Sequence, residues 1–299
     1  MQRLQSGLVM MMTLLASAAR AQSGMGAMQG MSMPQHQPVS SDALRQIKRI
    51  EAETRAFDDS VAAERAGYIP VFGWIPTMGV HWVDRARMTK GQQTQAAAPD
   101  NLMYSRIGGR DSLVGAAYAY FGAESDTTTP RLFDGAPPWH EHPDLAPPGE
   151  TLTMLHVWFV PSPDGPFAGT NPNLPYWALG LAAPDSMRMR DPVFSARARR
   201  AALALAEVAD TMAILPNLGR RPEVAAVIGP RRDSIRPLIP QLRAAERSGD
   251  ASAWDRTADR LAAQWDAMHA AYVAWARTTD GRARIQRFIA MLMGEHGHE

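Results

Sequence analysis

The chain has 299 residues, 45% of them apolar and 20% charged, a balance that matches a folded globular protein and excludes a disordered or fibrous one. Its 31 Lys and Arg stand against 30 Asp and Glu, and the net charge of +1 supplies no long-range field to gather nucleic acid or anionic lipid. There is no cysteine, which excludes disulfides, thiolate metal sites, iron–sulfur clusters, c-type haem attachment and cysteine nucleophiles together, so a metal site here has to use His, Asp, Glu or Met.

The first element reads as an export signal over residues 1–21. Arg3 gives a positive start, residues 8–18 form an apolar core, and Ala19-Arg20-Ala21 is an A-x-A cleavage site. The core is too short to span a bilayer, which takes about 20 apolar residues, so no transmembrane segment is expected in a mature chain starting near Gln22. A periplasmic or secreted location follows. Residues 22–40 are rich in Gly, Ser, Gln, Pro and Met and carry no hydrophobic period, the composition of a flexible lead.

From Ser41 the residues Leu44, Ile47, Ile50, Phe57 and Val61 follow helical spacing, with Ser40 or Ser41 as N-cap and Gly67 as the stop, and predict one amphipathic helix. Between Tyr68 and Leu181 the texture changes to short apolar and aromatic runs broken by Gly, Pro, Asn and Asp, the pattern of strands and turns. Strands are expected near 80–83, 102–104, 113–121 and 152–160. On the last of these Leu152, Met154, His156, Trp158 and Val160 share one face, because side chains alternate along a strand. From about Asp191 onward helices return. Ala201, Leu205, Val208, Met212 and Leu215 make one stripe, Trp254, Leu261, Trp265, Met268, Tyr272 and Trp275 a second, and Ile285, Phe288, Ile289 and Leu292 a third. Pro237 and Pro240 predict a bent or late-starting helix between the first two. The expected fold class is α+β: a mixed or antiparallel strand-rich core with an N-terminal helix, over residues 41–190, and a C-terminal helical module over 191–299.

Several short motifs occur in order through the first of these regions: Ala66-Gly67-Tyr68, Met78-Gly79-Val80-His81-Trp82-Val83, Leu102-Met103-Tyr104, Leu155-His156-Val157-Trp158, Gly165-Pro166-Phe167-Ala168 and Asn171-Pro172. On these the chain resembles a functionally uncharacterised family of exported bacterial proteins with M-G-x-H-W-V, L-H-V-W and G-P-F-A-x-x-N-P motifs, over roughly residues 50–177. The resemblance implies export and brings no activity with it. The chain lacks a cysteine that such proteins often carry ahead of the first histidine motif, and the helices after Asp191 lie outside the resemblance.

Four of the eight histidines, His81, His140, His142 and His156, fall in the strand-rich region. His140-Glu141-His142 is an H-x-H pair, and on an extended chain both rings point the same way while Glu141 faces away. A third ligand comes from His156 or His81, and Glu150 completes a set of two or three histidines and a carboxylate, as used by zinc, iron, copper or nickel. The structural alternative places His140 and His142 in an exposed proline-rich loop and makes His81 and His156 core histidines satisfied by carbonyls. Asp84 is a candidate partner for the His81 ring, or a solvated strand-end carboxylate. In the lead, Met25, Met28, Met31 and Met33 with His36 offer soft thioether donors, which tilts the ion towards copper or zinc.

No H-E-x-x-H, G-x-S-x-G, P-loop or G-x-G-x-x-G is present, so neither a nucleotide nor a catalytic residue is assigned. Trp74, Trp82, Trp139, Trp158 and Trp177 are core, or the wall of a small-molecule pocket. The stretch from Gly165 to Asn173 has turn composition that fixes the chain after the His156 strand, or lines a ligand. The leading expectation is an exported protein with a His-based metal centre, acting in metal binding or metal-dependent catalysis. The alternative is a non-catalytic envelope protein that binds a small apolar ligand or a protein partner.

Overall fold

The computed structural model describes residues 39–84, 87, 89–90, 96–126, 128–135, 137–142, 149–209, 230–280 and 283. The expected export signal, residues 22–38 of the expected lead, Met212, Leu215 and the stripe from Ile285 to Leu292 lie outside them. No helix among the described residues is long and apolar enough to cross a membrane.

The chain opens with α1 (Ser41–Glu53), whose N-cap Ser40 accepts a hydrogen bond from the Ala43 N–H at 3.0 Å. The single helix expected to run on to Gly67 is broken. Thr54 Oγ1 donates back to the Ile50 carbonyl at 2.8 Å, a 3₁₀ turn follows over Thr54–Phe57, and Asp59 caps a new helix, α2 (Ser60–Arg65), by accepting from the Ala62 N–H. Within α1 the buried stripe is Ala43, Ile47 and Ile50, while Leu44, and Val61 of α2, are half exposed.

The strands are β1 (Ile69–Ile75), β2 (Gly79–Val83), β3 (Thr89–Lys90), β4 (Asn101–Ile107), β5 (Arg110–Ala123), β6 (His140–His142) and β7 (Glu150–Trp158). They form one sheet in the order β1-β2-β4-β5-β7-β6, antiparallel throughout except for β3, which pairs parallel with β5. The four expected strands are present. β1 and β6, at the two ends of this order, were not foreseen. Opposite Met103 and Tyr104 of β4 the register of β5 slips by one residue, leaving Val114 bulged, which adds local twist.

One sheet face carries Val80, Trp82, Leu102 and Tyr104, packed with Tyr68, Trp74 and the end of α4 (Pro192–Ala209), together with Tyr118, Leu155 and Val157, packed with Ala43, Ile47 and Ile50 of α1. The other carries Met103, Ala117, Ala119, Phe121, Leu152, Met154 and Trp158, packed against Ala168 and Leu174 at the start of α3 (Leu174–Ala178). The helical module continues with α5 (Leu238–Ser248) and α6 (Ala251–Ala276). Pro237 stands at the N-cap of α5, so the proline-bearing helix is a late-starting one. Its core joins Tyr176, Phe194, Ala198, Leu205, Leu242, Trp254, Leu261 and Trp265. Arg188 and Arg197 reach Asp255, Arg197 reaches Asp259, and Arg200 reaches Asp266, so α4 and α6 run side by side in the same direction.

Candidate metal centre

His81 sits in the middle of β2, directly opposite Met103 of β4. His156 lies on β7 opposite Ala117 of β5, and His140 opens β6 opposite Met154 of β7. Directly opposed residues of paired strands share a face, so all three imidazoles project from the face that carries Met103, Ala117 and Met154. β4 and β5 stand between β2 and β7. On a flat sheet, with strands about 4.8 Å apart, His81 and His156 would be separated by about 14 Å. Their Nε2 atoms are 3.3 Å apart, so the two side chains lean towards each other across β4 and β5. The strand beside β7 carries small residues here, Gly115 and Ala117, the second directly opposite His156.

The third ring is adjacent. The His140 and His156 centroids are 4.9 Å apart in an edge-on arrangement, against 5.3 Å for His81 and His156. His81 and His156 are buried, at 4% and 1% exposure, and His140 is half-buried on the sheet's edge strand. Among the described residues no group of three or more His, Asp or Glu side chains is placed so that it could hold a metal ion as it stands. What the fold presents is a close imidazole pair with a third imidazole beside it.

The His156 ring is fixed from behind. Its Nδ1–H donates to the Gly169 carbonyl at 2.7 Å, which leaves the Nε2 lone pair facing His81. The proton in the Nε2···Nε2 contact therefore belongs to His81, whose Nδ1 is buried with no hydrogen-bond partner. Burial, with the neighbouring His140 adding to it, pulls the His81 imidazole down to about 4, so that the ring is neutral at neutral pH. The carbonyl at Gly169 belongs to the turn-rich stretch after β7. That stretch folds back along the strand: the Trp158 backbone N–H donates to the Pro166 carbonyl and the Trp158 indole to the Ala168 carbonyl, at 2.8 and 2.6 Å. Asn171 then donates to the carbonyls of Thr77 and Pro161, tying the stretch to the β1–β2 hairpin.

The remaining expected residues are placed differently. His142 pairs with Leu152, four residues along β7 from His156, about 13 Å at strand rise; its side chain lies outside the described residues. Glu150 begins β7, six residues and about 20 Å along the strand from His156, and does not join the imidazoles. Glu141 is exposed on the opposite side, as the alternation requires. Asp84 pairs with Arg87 at 2.8 Å and leaves His81 Nδ1 without a bond. Trp74, Trp82 and Trp158 are buried core residues, and Trp139 and Trp177 are half-buried.

The Gly169 carbonyl and Met103 went unnoticed in the sequence as neighbours of the rings, while Met154 was placed on the His156 face as an apolar residue. The turn composition after β7 carried a signal for the first, whereas buried methionines in strands read as core. A shallow cleft of about 270 Å³ lined by Arg188, Asp191, Phe194 and Asp255 lies in the helical module, away from the histidines. Its two arginines, Arg188 and Arg197, both already pair with Asp255, Arg188 through both carboxylate oxygens. Comparison with protein-family models, with curated proteins and with solved structures gave no match.

Proposed function

We propose that this is an exported metal-binding protein whose ion is held by His81 and His156, with His140 as a third ligand from the sheet edge. The observation that carries the reading is the 3.3 Å separation of two buried Nε2 atoms that come from β2 and β7, with β4 and β5 between them. Two nitrogens each about 2.0–2.1 Å from one tetrahedral ion stand about 3.3–3.4 Å apart. An ion would thus replace the shared proton with little movement of either ring, the His81 proton passing to Nδ1. The hydrogen bond from His156 to Gly169 supports the same reading, because it holds the ring with its Nε2 lone pair aimed at the ion.

His140 lies close enough to enter the set by turning its ring, and its half-buried place on the edge strand gives ions a way in and out. That open side supports an exchangeable ion with a position for water or a substrate oxygen rather than a sealed structural ion. Glu150 has no part in the set. The A-x-A site after the apolar core supports export to a periplasm or the medium, in keeping with the family resemblance.

The test is elemental mass spectrometry on the chain from Gln22, purified without a histidine tag, beside a His140→Ala/His156→Ala variant. The expected result is near one equivalent of metal in the first and under a tenth of that in the second, with both giving the same far-ultraviolet circular dichroism. An unmodified chain that stays empty after reconstitution with zinc and with copper overturns the reading.

A further inference from the structure

Two methionines stand on the sheet face that carries the imidazoles. Met103 is directly opposite His81 across the β2–β4 pairing, and Met154 is directly opposite His140 across β6–β7 and two residues from His156 on its own strand. Opposed residues on one sheet face have Cβ atoms about 4.5–5.5 Å apart, within reach of an unbranched side chain. Both methionines are buried, Met103 completely and Met154 at 8% exposure, and both belong to the cluster that includes Trp158.

Met103 is also directed. Gly115 is its partner on β5, and a Cβ added at Gly115 would lie 2.6 Å from the Met103 methyl and 2.5 Å from the Val157 carbonyl. The tip of Met103 therefore passes over β5, the strand that separates it from β7 and His156, in room that only glycine leaves open.

Three imidazoles with two thioethers, and no carboxylate among them, form a soft donor set. Zinc takes readily to imidazole, thiolate and carboxylate, whereas thioether sulfur selects the monovalent copper ion. We infer that the ion held by His81 and His156 is Cu(I), with Met103 and Met154 supplying the sulfur that distinguishes copper from zinc. The inference rests on the metal-binding reading and adds the identity of the ion and two ligands.

Leucine matches methionine closely in volume and removes only the sulfur, so Met103→Leu/Met154→Leu keeps the core filled. The experiment uses the chain with Met25, Met28, Met31 and Met33 changed to leucine, so that sulfur in the lead does not compete. Cu(I) is titrated anaerobically against a bathocuproine chelator and Zn(II) against a colorimetric chelator, for this background, for the methionine double variant and for His81→Gln/His156→Gln. Thermal melting confirms that each variant folds.

The expected pattern is at least a tenfold loss of Cu(I) affinity in the methionine variant, with Zn(II) affinity within twofold of the background, and loss of both ions in the histidine variant. Copper–sulfur scattering in the X-ray absorption of the loaded background accompanies it. Equal Cu(I) affinity with and without the two methionines overturns this inference and leaves a metal site made of histidines. No binding of either ion by the background, or undiminished binding of both by the folded histidine variant, overturns the metal site itself.

Discussion

At the residue scale the most consequential buried charge outside the histidines is Asp100. It is 2% exposed and accepts hydrogen bonds from the Ala119 backbone N–H at 3.1 and 3.2 Å and from Asn101 Nδ2 at 2.5 Å. Burial pushes its carboxyl up to about 7 from an ordinary 3.8, outweighing the hydrogen bonds that favour ionisation. Between those two values the folded chain keeps the proton while the unfolded chain has lost it. The stabilising contribution is therefore complete below about pH 4 and is lost as the pH climbs to about 7, amounting to a few kcal/mol at roughly 1.4 kcal/mol per unit. Denaturant unfolding between pH 4 and 8 should show stability sloping downward from this group, and Asp100→Asn should remove that part of the slope. Identical slopes in the two chains would exclude Asp100 as the cause. The histidines show what was legible at this scale. Their types and the alternation of β7 put His156 on an apolar face, and the motif runs drew attention to His81. Their meeting depends on the order and register of four strands, which no local spacing encodes. Methionine at a core position gave no hint that it faces a ring across the sheet.

At the element scale, propensity and capping explain the successes and the failures. Strands β2, β4, β5 and β7 are rich in Val, Leu, Tyr, Phe and Trp and read plainly as strands. β1 carries Pro70 and Gly73 inside seven residues, which demotes it in any sequence reading, and it sits where such a strand is tolerated, at the sheet edge. β6 is three residues beside a proline pair, too short to register as a period. The helix predicted from Ser41 is true for four turns and then breaks, since Asp59 makes a better start for a second helix than a continuation of the first. Ser40 caps the entry, its Oγ also donating to Asp134 at 2.9 Å. Ser40→Ala should lower stability by about 1 kcal/mol, and Ser40→Gly by a few tenths, measured by urea unfolding. A neutral Ser40→Ala would mean that α1 is held by Ile47 and Ile50 alone.

At the scale of the whole molecule, the helical module is built onto the sheet. Ala206 and Ala209 at the end of α4 are fully buried in the cluster that holds Trp82, Leu102 and Tyr104, and Arg199 reaches Asp164 in the turn after β7 at 2.6 Å. Alanine is the residue that allows a helix to approach aromatic rings this closely. Ala206→Leu should overfill that contact and cost about 1–3 kcal/mol in thermal or urea unfolding, while Ala253→Leu, half-buried on α6, should cost less. Similar small changes in both would mean that α4 does not press on the sheet. Sequence stripes located the two long helices because each packs along one face, but the stripes cannot say what lies opposite. The small residues of α4 were the only trace of the sheet against it.

The terminal strands carry a consequence beyond the placement of His140. A sheet with open ends invites other chains to add strands, and this one ends at β1 on one side and β6 on the other. Pro70 of β1 has no N–H to offer a newcomer. β6 offers three residues, led in by Pro137 and Pro138 and bearing the outward charge of Glu141. The brief strand that brings an imidazole to the interior thus also closes the border to polymerisation, and lengthening it would trade solubility for reach.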